Sequence, residues 1–349
     1  MFHFATNARR GARLLFLAGL VAACGGGGAN ASDHKIALVP GGPHPYFAPW
    51  EQAAADAKKD FGIAIVDYKV PAEWKLNLQT ELLDSLAAQG YSGLGFFPGD
   101  GAGINATLTE LKSGGIPTAA LGGCSIDPTA ASFCLATDPF NTSYVAAKKT
   151  IEAMGGKGNL VHLTGQLIDT NTTLREQGVQ KAVDETNGAV KLLQTLADTD
   201  EQEAGDQKIN ALLAARKDQI DGMVATAYIT SVVTSKSLRA IGDKRIKFIA
   251  FNDDPIILDA IKDGFVAGTV VQNPYGQGYI GAYAMDLLAG GACTIKADAP
   301  WIVTPQTKHF IDSGTLVVGS ANIGSYNNDL KALTHKIQAG FKDAYLTCN

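Results

Sequence analysis

The chain lacks the features that identify several large classes of protein. After the first 32 residues, no apolar run approaches the ~20 residues that a membrane-spanning helix requires. The net charge is −5, and this part of the chain has no cluster of basic residues, which argues against a nucleic acid partner. The sequence therefore predicts neither a membrane-spanning protein nor a nucleic-acid-binding protein.

Motifs of catalysis and of metal binding are missing as well. There is no G-x-S-x-G elbow, no H-E-x-x-H, no phosphate-binding P-loop, and no G-x-G-x-x-G that opens a helix after the first predicted strand. The glycines of Gly99-x-Gly101-x-Gly103 follow the third predicted strand with a different spacing, which favours a tight turn. No Cys or His pair has the spacing of metal ligands. The sequence therefore predicts no enzyme, no metal site and no cofactor.

The N-terminal segment has the pattern of an export signal. Three arginines between positions 9 and 13 precede the apolar segment Leu14–Ala23, which has the length of a signal-peptide core. Two cleavage sites remain open. Val21-Ala22-Ala23-Cys24 resembles a bacterial lipobox, in which Cys24 carries the lipid, and Ala29-Asn30-Ala31 is an A-x-A site. With either cleavage site, residues 1–31 are a targeting segment and tether. Either site also predicts a protein of the periplasm or of the outer face of the cell membrane.

Export bears on the four other cysteines, because disulfides persist in oxidising compartments. Cys124 and Cys134 flank a nine-residue loop, a separation that favours a local bridge. Cys293 and Cys348 then pair and attach the C-terminal tail. The alternative, four buried free thiols, remains open at this point.

Strand-like and helix-like segments alternate along the exported part, which has the length of two domains. Short apolar segments are followed by amphipathic segments of 10–15 residues, the pattern of parallel α/β sheets. One such cycle ends near Asp138 and a second begins there, with no linker between them. The sequence therefore predicts an α/β fold of two doubly wound parallel-sheet lobes around a cleft.

The segment Ile246–Pro274 predicts where a ligand binds. An apolar strand ends at Asn252, a helix capped by Asp253 or Asp254 follows, and a second strand ends at Gln272. Ligands of open parallel sheets lie outside the carboxyl ends of the strands. Asn252 and Gln272 are therefore candidate ligand-binding residues.

These strand ends, together with His44-Pro45-Tyr46-Phe47 after the first strand, carry a family resemblance. The chain from Lys35 to Pro305 resembles the type I periplasmic sugar-binding proteins of the ribose-binding group. The resemblance implies two lobes joined by a three-strand hinge, with crossings near Asp138, Gln272 and Pro305. Residues 33–137 and 273–305 then form the first lobe, and residues 138–272 and 306–349 form the second.

The resemblance also implies roles for individual residues. Tyr46 and Phe47 occupy the places of the two phenylalanines in the family's N-P-F-F turn, and His44 replaces its asparagine. Aromatic rings suit the weakly apolar faces of a sugar, and polar groups bind its rim. The expected ligand-binding residues are His44, Tyr46, Phe47, Asp100, Thr173, Tyr228, Asn252 and Gln272. In Arg175-Glu176-Gln177-Gly178, the expected role of Arg175 is structural.

The sequence departs from the family where charged groups hold the sugar. Gly122-Gly123 stands where the ribose-binding group has Asp-Arg, Ala227 replaces an asparagine, and Asn252 replaces an aspartate. These losses predict a less charged pocket and a neutral ligand, because Asp and Arg make the strong bidentate contacts to sugar hydroxyls.

The predicted function is capture of a small neutral solute (a sugar, polyol or glycoside) by a monomeric binding protein that delivers it to the permease of an ABC transporter. A transcription regulator of the lactose-repressor type shares the fold, but the expected N-terminal helix-turn-helix is replaced by the export signal. A sensory protein that presents a nucleoside or aromatic solute to a chemoreceptor remains an alternative.

Overall fold

A computed structural model describes residues 32–349. Cys24, both predicted cleavage sites and the predicted export signal lie outside the described residues. Within the described range, no helix is long and apolar enough to cross a membrane.

The described strands form two six-stranded sheets and one two-stranded sheet. The strands are β1 (Ser32–Val39), β2 (Ile63–Tyr68), β3 (Gly93–Phe96), β4 (Thr118–Leu121), β5 (Cys134–Ala136), β6 (Gly158–Leu163), β7 (Val190–Leu196), β8 (Gly222–Ala225), β9 (Lys247–Phe251), β10 (Gly268–Gln272), β11 (Cys293–Ile295), β12 (Phe310–Asp312), β13 (Thr315–Val318) and β14 (Leu346–Cys348). The first sheet has the order β12-β5-β4-β3-β1-β2, and the second has the order β13-β10-β9-β8-β6-β7. All pairs are parallel except β10 with β13 in the second sheet and β11 with β14.

Helices cover both faces of each large sheet. They are α1 (Pro49–Phe61), α2 (Leu76–Ala88), α3 (Asn105–Ser113), α4 (Pro139–Ala153), α5 (Thr170–Asp184), α6 (Gln202–Arg216), α7 (Tyr228–Ile241), α8 (Pro255–Lys262), α9 (Pro274–Leu288) and α10 (Tyr326–Tyr345). Successive residues of β1 belong to opposite cores: Ile36 and Leu38 pack on one side of the sheet, and Ala37 and Val39 on the other. Burial on both faces explains why the strands are continuously apolar rather than alternating.

The segment Ile246–Pro274 forms the predicted strand, helix and strand. Asp254 caps α8, since its carboxylate accepts a hydrogen bond from the N–H of Ile256 at 2.8 Å, and Pro255 fills the first helical position. The chain then enters β10, which lies beside β9 in the second sheet. Asn252 and Gln272 therefore end neighbouring strands at the same edge.

The chain crosses between the two large sheets at Thr137, at Asn273 and at Ser313. The first two positions adjoin the predicted crossings at Asp138 and Gln272. The third was expected near Pro305, and that prediction is wrong because β12 pairs in parallel with β5 and so remains with the first sheet. A three-residue strand is too short to show a periodic pattern in the sequence, which is why the boundary was misplaced.

The C-terminal tail contacts both lobes, so its assignment to the second lobe alone is also wrong. Tyr326 and Leu330, in the first turns of α10, pack against Val271 of the second sheet. Near the other end of the helix, the ring of Phe341 lies 5.4 Å from that of Phe133 in the first lobe. The tail then ends in β14, which pairs with β11. The apolar stripe of α10 was visible in the sequence, but its two different partners were not.

Two disulfides join the four cysteines of the described range. Cys124 is bonded to Cys134, and Cys293 is bonded to Cys348. This is the connectivity that the sequence spacing favoured. The first bridge lies beside Gly122 and Gly123 at the end of β4, and the second attaches the tail to the segment after α9.

Candidate functional site

A cleft lies where the carboxyl ends of the two parallel sheets face each other. Six of the eight predicted ligand-binding residues line it: His44, Tyr46, Phe47, Tyr228, Asn252 and Gln272. Loops after β1, β2, β3 and β4 supply the first-lobe side, and loops after β6, β7, β8 and β9 supply the second-lobe side. This is the position expected for a ligand site in such sheets.

An aromatic wall forms the first-lobe side of the cleft. The ring of Phe47 lies 5.1 Å from that of Phe97 and 6.1 Å from that of Trp74. The indole N–H of Trp74 donates to the carbonyl of Gly99 at 3.3 Å, which fixes the ring against the wall. Phe47 is almost fully buried, so it serves the core as well as the cleft. Trp74 and Phe97 were not predicted as site residues.

His44 has a defined tautomer. The backbone N–H of Tyr46 donates to Nδ1 of His44 at 3.2 Å, so Nδ1 carries a lone pair and the proton lies on Nε2. That Nε2 lies 3.5 Å from Oδ2 of Asp200, which belongs to the other lobe, and it has no hydrogen-bond partner within normal distance. His44 therefore offers an N–H donor in the cleft.

Asn252 is held in a conformation that few non-glycine residues adopt. Its φ is 68°, in the left-handed region, at the end of β9. Its side-chain oxygen accepts a hydrogen bond from Nε2 of Gln272 at 3.3 Å, while its buried Nδ2 has no partner. Strained residues of this kind are enriched at ligand sites. The structure therefore brings the two predicted strand-end residues into one polar group.

Charged residues enter the cleft from the loop before α5. Asp169 caps this helix by accepting from the N–H of Asn171 at 2.9 Å, and it also pairs with Arg175, whose Nη1 lies 3.2 Å from its Oδ2. Arg175 is buried, and its Nε has no partner. Asn171 reaches across the cleft, where its Nδ2 donates to the carbonyl of Gly122 at 3.4 Å. The two lobes therefore contact each other directly.

Tyr228 and Tyr46 place phenol groups on opposite sides of the cleft. The Tyr228 hydroxyl donates to the carboxylate of Asp254 at 3.2 Å, and its ring lies 6.0 Å from that of His44. The Tyr46 hydroxyl donates to Oε1 of Gln277 at 3.0 Å. Burial raises the pKa of both phenols well above the ordinary value of 10, so both remain neutral donors.

Two predicted residues lie outside the cleft. Asp100 accepts hydrogen bonds from the N–H groups of Ala102 and Gly103 at 3.0 and 2.8 Å, so it stabilises the turn before α3. Thr173 is exposed on α5, on a different face from Asn171 and Arg175, which line the cleft. In the R-x-x-G segment, Arg175 therefore lines the cleft, whereas Thr173, which was expected to contact the ligand, does not.

The prediction of a weakly charged pocket is also wrong. Asp169, Arg175, Asp200 and Glu201 all line the cleft, although the charged pair after β4 is replaced by Gly122-Gly123. The new charges come from the loops after β6 and β7, where Asp and Glu also serve as helix caps and surface residues. Their sequence positions therefore gave no separate signal of a ligand site.

The comparisons with known proteins agree with this architecture. A family model described as periplasmic binding protein domain matches residues 36–292. A structure of an ABC transporter solute-binding protein from Burkholderia graminis, in complex with D-arabinose, superposes with a TM-score of 0.73. It is 22% identical, and the match covers 85% of this chain and 99% of that chain. A solute-binding protein from Agrobacterium vitis bound with α-D-tagatopyranose has a TM-score of 0.73 at 18% identity, over 84% of this chain and 97% of that one.

The curated relatives match smaller parts of this chain than the solved structures do. The xylitol-binding protein of Mycolicibacterium smegmatis is 24% identical over 237 residues, which are 68% of this chain and 67% of that protein. The D-apiose import binding protein of Actinobacillus succinogenes is 26% identical over 183 residues, 51% of this chain and 58% of that protein. Since the family model spans most of the described residues, the chain belongs to the periplasmic binding protein family, whose members bind solutes outside the cytoplasm.

Proposed function

We propose that this chain captures a neutral polyhydroxy solute, a sugar or a sugar alcohol, between its lobes and delivers it to the permease of an ABC transporter. The observation that carries the proposal is a set of three buried N–H donors without partners. These are Nε2 of His44, Nδ2 of Asn252 and Nε of Arg175, and all three residues line the cleft beside the aromatic wall. Buried donors normally have acceptors, so a ligand rich in oxygen atoms fits them.

The charges of the cleft favour a neutral ligand over an acidic one. Three carboxylates line it, those of Asp169, Asp200 and Glu201, against the guanidinium of Arg175. A further anion brought into this group by the ligand is repelled, whereas hydroxyl groups both donate to the carboxylates and accept from the three N–H groups. The ligands named for the similar proteins, D-arabinose, tagatose, xylitol and apiose, all have this chemistry.

A calorimetric screen of the chain from Ser32 tests the proposal. The neutral set contains xylitol, D-arabinose, D-tagatose and D-apiose, and the matched acids are D-xylonate and D-arabinonate. We expect saturable binding of at least one neutral compound and binding at least tenfold weaker for its acid. Binding of nucleosides alone, or of acids more tightly than their neutral forms, would refute it.

We also propose that residues 1–31 direct export, and that the mature protein is a monomer that performs no catalysis. Mass spectrometry of the protein from a bacterial envelope distinguishes a lipid on Cys24 from a mature chain that starts at Ser32. Sedimentation equilibrium gives the subunit number. Transport is separated from sensing by measuring uptake of the bound solute in cells that carry and cells that lack this chain.

A further inference from the structure

One buried hydrogen-bond network joins all three crossings between the lobes. At its centre is Gln277, in the first turns of α9, which is completely buried. Its Nε2 lies 3.4 Å from Oγ1 of Thr137, at the first crossing, and 3.3 Å from Oγ of Ser313, at the third. The two hydroxyl oxygens are themselves 3.1 Å apart. The hydrogen bonds of Gln277 therefore depend on the relative position of the first and third crossings.

The second crossing enters the same network through Asn273. Its Nδ2 donates to the carbonyl of Ser313 at 2.8 Å and to Oγ1 of Thr334 at 3.0 Å, and its backbone N–H lies 3.5 Å from Oγ1 of Thr137. Its Oδ1 accepts from the N–H of Gly276 at 2.9 Å and thereby caps α9. Each crossing thus contributes one side chain whose hydrogen bonds depend on the other two.

The network also reaches the ligand cleft at two points. The Tyr46 hydroxyl, on the cleft-lining turn after β1, donates to Oε1 of Gln277 at 3.0 Å. Gly122 lies against the same atom, since a Cβ placed on Gly122 would be 3.0 Å from Oε1 of Gln277. The carbonyl of Gly122 accepts from Asn171 of the opposite lobe. The amide of Gln277 therefore lies between the Gly122–Asn171 contact across the cleft and the crossing segments, which bend when the lobes move apart.

We propose that Gln277 is a positioning residue that couples ligand contact at Tyr46 to the angle between the lobes; this inference rests on the proposed function. A ligand packed on the Tyr46 ring fixes the phenol, and the phenol fixes the orientation of the Gln277 amide. Its NH₂ group then reaches Thr137 and Ser313 only when the crossing strands have the closed arrangement. Hinge motion in two-lobed proteins is absorbed by a few residues at such crossings, and the Gln277 amide contacts two of the three crossings here.

A double-mutant cycle tests the coupling, with Tyr46→Phe, Ser313→Ala and the combination of both. Each change removes one hydroxyl and leaves the remaining side chain in place. Neighbouring residues of one network show non-additive effects, whereas independent residues do not. The measured quantity is the factor by which each variant raises the dissociation constant of the polyol selected in the calorimetric screen. We expect the factor for the double variant to be smaller than the product of the two single factors by about threefold or more. The matched control is Tyr279→Phe, whose hydroxyl contacts Asp60 on α1, and it should combine with Ser313→Ala multiplicatively.

A ligand-free measurement separates this inference from the proposed function. The radius of gyration of the four proteins of the cycle, measured by small-angle X-ray scattering, reports the average lobe angle. We expect Tyr46→Phe to increase it in the presence of Ser313 and to have no further effect on the Ser313→Ala protein. If no polyol binds the unmodified chain, the proposed function fails, and the scattering data alone decide the inference. Equal radii in all four proteins, or multiplicative effects on the dissociation constant, would overturn it.

Discussion

Nη1 of Arg175, in α5, lies 3.2 Å from Oδ2 of Asp169, the residue that caps the same helix, and both side chains line the cleft. The pair leaves Nε of the guanidinium buried without a partner. Because Asp169 also caps α5, the carboxylate is fixed by the backbone and in turn fixes the plane of the guanidinium. A helix cap thus orients a cation toward the cleft.

Substitution Arg175→Met should weaken ligand binding while the fold is retained. It preserves most of the apolar stem, but it removes the Nε donor and leaves the half-buried carboxylate of Asp169 without its partner in the cleft. Loss of a charged hydrogen-bond donor to the ligand costs about 2 kcal/mol, which is roughly thirtyfold in the dissociation constant. Isothermal titration calorimetry measures the effect. Arg239→Met is the control, because its ion pair with Asp263 is exposed and far from the cleft, and it should leave the affinity unchanged.

Trp74 should report ligand binding by its fluorescence. The chain has three tryptophans: Trp74 lines the cleft, Trp50 is completely buried, and Trp301 packs against Tyr345 at 5.0 Å. We expect ligand to change the emission of the unmodified chain and of Trp301→Phe, and to have no effect on the emission of Trp74→Phe. A ligand-dependent signal that survives in Trp74→Phe would contradict the position of the aromatic wall in the site.

The two disulfides should differ in what their removal changes. In the chain-entropy model, a bridge with a sequence separation of 55, such as Cys293–Cys348, contributes about 4 kcal/mol, and one with a separation of 10, such as Cys124–Cys134, contributes about 3 kcal/mol. Cys293→Ser with Cys348→Ser should therefore lower the free energy of urea unfolding and leave the affinity unchanged. The pair Cys124→Ser with Cys134→Ser should weaken binding as well, since Cys124 lies two residues after Gly122, which lines the cleft. Equal affinities in the two double variants would refute this distinction.

The sheet topology placed Asn252 and Gln272 at the cleft, whereas Trp74 and Asp200 were not predicted, for a physical reason. Asn252 and Gln272 follow strands whose apolar segments are unmistakable, so the topology of parallel sheets places them in the cleft. Trp74 and Asp200 lie on connections whose course depends on tertiary packing, and an aromatic or an acidic residue there has several ordinary roles. The face of α5 was misjudged for a related reason. The position of its first turn is set by the Asp169 cap, which fixes Asn171 and Arg175 rather than Thr173 toward the cleft.

A buried histidine should make stability depend on pH. Burial, with a smaller contribution from the positive charge of Arg175, lowers the pKa of His162 from 6.5 to about 3. Between these values the unfolded chain binds a proton that the folded chain does not, so stability is full above pH 6.5 and falls as the pH decreases toward 3. From pH 7 to pH 5 the loss from this group is about 2 kcal/mol.

Urea unfolding of the unmodified chain and of His162→Gln at both pH values measures this contribution. Glutamine still bonds to Thr226, which lies 2.8 Å from Nε2 of His162, but does not titrate. Burial raises the pKa of Asp253 and Asp312, and this has the opposite effect on the pH dependence of stability. Because both proteins contain these two groups, their contribution cancels when the proteins are compared. Identical pH dependence in the two proteins would exclude the assignment to His162.

Substitutions of Asn252 should change ligand affinity and stability independently. Its side chain contributes to the cleft, whereas its backbone conformation is unfavourable for a residue other than glycine. With φ at 68°, a side chain at this position costs about 1 kcal/mol relative to glycine. Asn252→Gly should therefore leave the free energy of unfolding unchanged or raise it by up to about 1 kcal/mol. The same substitution removes the Nδ2 donor and the acceptor of Gln272, so we expect the dissociation constant to rise at least tenfold, about 1.4 kcal/mol.

Asn252→Ala provides the matched comparison, since it removes the same amide but keeps a Cβ in the left-handed region. Its affinity should equal that of the glycine variant, while its free energy of unfolding should be lower by about 1 kcal/mol. Calorimetric titration and urea unfolding of the three proteins give both quantities. If Asn252→Gly bound the polyol as tightly as the unmodified chain, the amide would have no contact with the ligand. If the two variants were equally stable, the left-handed backbone would carry no strain, and its position at the end of β9 would need a reason other than orientation of the amide toward the cleft.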